Sequence, residues 1–95
     1  MILFAMRRAN GDWFAIDDSG RYRVPVFHTD GDAMHARMRD TSMECFRPVP
    51  LDAPALADLM IGDEGSTCYL LIENPLLKLR RGRRLNHDEL LLELN

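Results

Sequence analysis

Ninety-five residues, 46% hydrophobic and 28% charged, describe one folded domain and exclude a disordered chain or two separate cores. The net charge of −3 gives no general attraction to nucleic acid or an anionic membrane. Cys45 and Cys68 are too few for a disulfide framework, and no apolar stretch approaches the ~20 residues of a membrane span.

Met1 to Met6 is apolar but too short for a signal-peptide core, and Arg7-Arg8 follows it instead of preceding it, so a cytoplasmic protein is expected. Ile2 to Arg8 reads as a strand. Asn10-Gly11 is a hairpin signal because both residue types tolerate positive φ, and Trp13 to Ile16 is the expected return strand. Asp17 to Gly20 reads as a second turn. Arg21 to Phe27 follows as a third strand, with Tyr22, Val24 and Val26 on one face and Arg23 on the other. Pro25 has no N–H to donate, which places this strand at an edge or makes it partly irregular.

The period then changes. Thr29 suits an N-cap, with acidic Asp32 three positions on. Met34 and Met38 lie one turn apart, Ala33 and Ala36 are small, and Arg39 near the end suits the helix dipole. Met43 to Val49 reads as a strand closed by Pro48 and Pro50. Asp52 caps a second helix, with Pro54 in its first turn and Leu56, Leu59 and Met60 as an apolar stripe. Gly62 is the expected stop, and residues 63–66 form a polar loop.

The organising stretch comes next. Cys68 to Ile72 has no polar face, so both of its faces should be covered by protein, and five residues are too few for a buried helix. A central strand over 67–74 is predicted. Leu77 to Arg80 reads as a last short strand and Arg81 to Arg83 as a turn. Asn86 and Glu89 form a capping pair for a final helix whose Leu90, Leu91, Leu92 and Leu94 face the core. The order is β-β-β-α-β-α-β-β-α. It predicts an α+β domain spanning 1–95, with a single mostly antiparallel sheet covered by two or three short helices.

The order of these motifs resembles the N-terminal domain of the enhanced-serine-sensitivity (SseB-type) proteins and related short bacterial domains. The matching features are the opening hairpin, Gly20 before Val24-Pro25-Val26-Phe27, and the capped helix at Thr29. A strand, a short Leu-rich helix, an apolar strand ending in Asn74-Pro75 and a closing Asp88-Glu89-Leu90 helix complete it. The resemblance covers nearly the whole chain and implies the same fold. It supplies no catalytic residues. The arginines after Asn74-Pro75 depart from the pattern.

Three groups of residues carry candidate chemistry. His28, Asp30, Asp32 and His35 have the composition of a transition-metal site, although acids at a helix start also serve capping and the dipole. Cys45 and Cys68 sit in apolar runs and read as buried structural thiols; a nucleophile needs a nearby cation that the adjacent sequence does not supply. Lys78, Arg80, Arg81, Arg83 and Arg84 form the densest charge of the chain. The plain reading is a solvated basic loop pairing with Asp63, Glu64 or Glu93; as a binding site it fits an acidic protein patch better than nucleic acid, because the aromatic surface that base recognition needs is missing nearby.

No phosphate-binding glycine loop, nucleophile elbow or paired catalytic carboxylates occur. The expectation is a small non-enzymatic interaction domain without a cofactor. It would dock a protein partner through the basic residues, or pair with itself as a homodimer through open sheet edges. A metal- or ligand-binding domain centred on His28 to His35 is the alternative from another class, and nucleic-acid binding through Lys78 to Arg84 is a further one.

Overall fold

A computed structural model describes residues 2–61 and 68–95. Its sheet has six strands: β1 (Phe4–Arg8), β2 (Ile16–Asp18), β3 (Arg21–Phe27), β4 (Phe46–Pro50), β5 (Cys68–Ile72) and β6 (Arg83–Leu85). Among the described residues three helices join it: α1 (Asp30–Arg39), α2 (Ala53–Ile61) and α3 (His87–Leu94). The α+β class and the element order are as predicted. The strands lie side by side as β4-β1-β3-β5-β6, with β2 beside the first half of β3. β3 and β5 run parallel, and the other described pairs are antiparallel.

Every residue of β5 is buried, as its lack of a polar face requires. Tyr69 and Leu71 join Val24, Val26, Leu59 and Leu90 on the face that carries α2 and α3. Leu70 and Ile72 join Met6, Phe27, Ala33 and Phe46 on the face that carries α1. Burying one such Leu contributes about 1.5–3 kcal/mol, so β5 ties two separate apolar clusters into one domain. Tyr69 is fully buried, and its hydroxyl lies 3.2 Å from Nδ1 of His87.

The middle of the sheet is β3, not β5. This corrects the placing of the Pro25 strand at an edge. β3 pairs with β5 on one side; on the other it pairs with β1 at Val26 and Phe27 and with β2 from Arg21 to Arg23. Val24 and Pro25 fall between those two partners, at the junction where a missing N–H breaks no registered pair on that side. The proline-marked edge is β4. Pro48 and Pro50 alternate along it, which its position beyond β1 permits, since an edge proline can turn its nitrogen to solvent.

The turns shift accordingly. Asn10-Gly11 belongs to a longer loop closed by Arg8 and Asp12 (Arg8 N–H to Asp12 O, 3.0 Å), and Gly11 alone takes positive φ there. The two-residue turn is Ser19-Gly20, with φ of 58° and 86°, as a type I′ hairpin demands. Asp17 and Asp18 are therefore strand residues. Trp13 makes one bridge to Arg7, and β2 begins only at Ile16.

Thr29 caps α1 by accepting from Asp32 N–H at 3.0 Å. The buried face of α1 is Ala33 and Ala36; small side chains let the helix lie close to the sheet, and Met34 and Met38 stay exposed. Thr41–Met43 is a 3₁₀ turn, so β4 starts later than the sequence suggests, at Phe46. Cys45 precedes it and is exposed, against the expectation of a buried thiol, whereas Cys68 is buried.

Asp52 caps α2 (Ala55 N–H to Oδ1, 3.0 Å). Leu59 is buried, Leu56 packs against the same cluster, and Met60 is exposed. The expected stop at Gly62, the loop at 63–66 and Thr67 lie outside the described residues. Asn86 and Glu89 complete the predicted capping box of α3; Leu90 is buried, while Leu91 and Leu92 are exposed. None of the helices, over the described residues, is long and apolar enough to cross a membrane.

Candidate functional site

The segment after β5 decides the site. Leu77 to Arg80, read as a strand from its alternation, is instead a turn followed by a 3₁₀ turn at Leu79–Arg81. The cause is Asn74, whose side chain accepts Leu76 N–H at 2.9 Å and whose carbonyl accepts Leu77 N–H at 3.2 Å. That turn chemistry, set by Asn-Pro, overrides a period of two. The chain regains the sheet at Arg83, where a turn was expected. Gly82 permits the return: a Cβ there would lie 2.8 Å from Ile72 Cδ1 and 3.1 Å from the Leu71 carbonyl oxygen.

A cleft of about 480 Å³ opens between this segment and the C-terminal end of α1. Its apolar lining is Ile16, Ala36, Pro75, Leu77 and Leu79. Arg39, Lys78 and Arg80 supply three cations and Asp40 one carboxylate. Asp40 is occupied within the chain, since its Oδ1 accepts from the backbone N–H and the hydroxyl of Ser42. Lys78 and Arg80 are exposed and make no ion pair with a described residue. The cleft is thus apolar within and electropositive at its rim. Its volume falls in the usual range for ligand pockets of roughly 300–1,000 Å³.

The five predicted basic residues therefore separate. Lys78 and Arg80 line the cleft. Arg81 is exposed beside a smaller recess of about 60 Å³ that shares Leu77 and Lys78 with it. Arg83 and Arg84 belong to β6, not to a loop, and both are engaged. Arg83 is paired with Glu93 and lies 3.8 Å from Glu73; the Glu93 hydrogen bond holds its guanidinium above the ordinary arginine value. Arg84 grips Asp18 with two hydrogen bonds, from Nε to Oδ2 at 2.7 Å and from Nη2 to Oδ1 at 3.0 Å.

Asp18 is the residue that sequence reasoning missed. Its side chain is only 10% exposed, and Arg23 donates to the same Oδ2 at 2.9 Å. The hydrogen bond from Arg84, helped by the charges of both arginines, holds the carboxyl below the ordinary aspartate value. The sequence alone suggests a turn residue at Asp18. The available signal was the alternation of Ile16 and Asp18 beside a Ser-Gly turn, which puts both on one face of a strand.

The proposed metal residues are not brought together. His28 closes β3 and its Nε2 lies 3.1 Å from Glu73 Oε2; Asp30 and Asp32 occupy the first turn of α1, and His35 is exposed further along. Among the described residues no three His, Cys, Asp or Glu side chains group as a metal site would need. Cys68 has a cation near it after all, since Nη1 of Arg21 lies 3.4 Å from its sulfur.

Comparison with family models, curated proteins and solved structures gives no match.

Proposed function

We propose that this is a small non-enzymatic interaction domain that docks an acidic, apolar-anchored segment of a protein partner in the cleft between α1 and residues 75–80. One observation carries it: Lys78 and Arg80, without an internal counter-ion among the described residues, stand beside the exposed Leu77 over an apolar space. An apolar side chain of the partner would fill that space, and its carboxylates would meet the rim. Arginine favours carboxylates because its planar fork binds two oxygens at once. A protein segment is favoured over nucleic acid because no aromatic side chain lines the cleft to stack a base. A cytoplasmic setting and kinship with the SseB-type N-terminal domains belong to the same proposal, supported by a cysteine count too low for a disulfide framework and by motif order.

The homodimer expected from open edges no longer has the third strand to support it, because β3 is interior. The outer strands are poor templates: β4 carries Pro48 and Pro50, and β6 would set Arg83 and Arg84 against their copies.

The experiment is a titration of a fluorescein-labelled acidic peptide containing a Leu pair, read by anisotropy. Changing Arg39, Lys78 and Arg80 together to Ser should weaken binding by about tenfold or more and lower the urea midpoint only slightly, through the loss of Arg39 from the α1 terminus, since exposed cations that pair with no described residue add little stability. Equal binding by the variant would remove the proposal.

A further inference from the structure

The cleft does not end in a neutral surface. Ile16, which lines it, and Asp18 are alternate residues of β2 and so stand on one face of the sheet, roughly 7 Å apart along the strand. On that same face the register places Arg23 opposite Cys68 and Arg84 opposite Leu70. Arg21 reaches the sulfur of Cys68 from the strand start. The buried carboxylate of Asp18 thus gathers Arg23 and Arg84, with Arg21 alongside, immediately beyond the cleft lining.

Among the described residues the charge on this strip is not balanced. Asp18 neutralises one arginine and holds two. Arg84 spends two hydrogen bonds on it, although its guanidinium has five N–H donors and its side chain is 61% exposed. An arginine already fixed by a carboxylate loses less freedom when it takes a second anion than a mobile one does. In a chain of net charge −3, Arg39, Lys78 and Arg80 therefore line the apolar cleft, and Arg21 and Arg84 stand on the sheet surface beyond Ile16.

We infer that Arg21 and Arg84 form a second carboxylate-binding position, continuous with the cleft, so that the preferred partner segment carries acidic residues on both sides of its apolar anchor. This rests on the proposed docking function. Lys78, Arg80 and Arg39 meet the acids on one side, and Arg84 with Arg21 meets those on the other. Asp18 is a positioning residue that sets the second arginine pair.

The test compares two labelled peptides, Glu-Glu-Leu-Leu-Glu-Glu and the same peptide with Gln replacing Glu on one side, the replaced side being tried at each end. Wild-type protein should prefer the two-sided peptide over both one-sided forms by about three- to tenfold, the sum expected of two exposed charge contacts. Arg21→Gln, an exposed residue outside the Asp18 ion pairs, should lose part of that preference, and the Arg21→Gln, Arg84→Gln pair should lose all of it while still binding a one-sided peptide. A wild-type protein that binds the one-sided forms as well as the two-sided peptide, or an undiminished preference in Arg21→Gln, overturns the second position and leaves the cleft standing. Absence of binding by either peptide overturns the docking reading and this inference together. Displacement of the bound peptide by a single-stranded oligonucleotide at lower concentration assigns the strip to nucleic acid and overturns the peptide assignment.

Discussion

The two faces of the sheet are built on different principles. The face under α2 and α3 is closed by large apolar side chains from Leu3 to Leu90, and two helices suffice to cover it. Among the described residues the other face has one helix, seated on Ala33 and Ala36. α1 covers Phe27, Leu70 and Ile72 and then ends, leaving the remaining strand surface to Asp18, Arg23 and Arg84 and to the cleft. One helix cannot seal a face of five or more strands, so the uncovered part must be polar or must be covered by something else. The sealed face holds the fold; the half-covered face is where a partner can be met.

The largest expected effect probes the sealed face. Leu71 is fully buried there, and Leu71→Ala should cost about 2–5 kcal/mol, a large part of the stability of a domain this size. A loss below about 1 kcal/mol in urea titration would show that β5 does not join the two clusters as described.

A smaller effect probes the half-covered face. Asp18 has a lowered pKa when folded, so its contribution is fully present above the ordinary aspartate value of about 3.9 and is lost as pH falls through the lower folded value. Asp18→Asn should therefore lower the urea midpoint at neutral pH, with the gap from wild type closing below about pH 3.9. A gap that persists unchanged in acid would mean that the carboxylate charge is not what holds Arg84 and Arg23.

The same contrast explains what could be read from the sequence. The sealed face depends on period and apolarity, which are local: Cys68 to Ile72 announces a strand buried on both faces, and Asn86-Glu89 announces the start of α3. The half-covered face depends on partners far apart in the chain. Asp18 meets Arg84, and Ile16 and Leu79 line one cleft, at separations that no window of residues contains. Turn chemistry supplied the other departures. Asn74 bends the chain where Leu77 and Leu79 alternate, and Ser19-Gly20 rather than Asn10-Gly11 makes the tight hairpin. The basic residues were visible from composition, but their division into Lys78 and Arg80 at the cleft and Arg83 and Arg84 in ion pairs needed the register of β6.

The most direct test of the half-covered face as the docking surface is an NMR titration of the labelled protein with the two-sided acidic Leu peptide. Amide shifts should concentrate at Ile16, at Ala36 to Asp40 and at Pro75-flanking residues through Arg80, extending to Arg21 and Arg84, with α2 and α3 unmoved. Shifts concentrated instead on Met60, Leu91 and Leu92, the exposed apolar residues of α2 and α3, would contradict it.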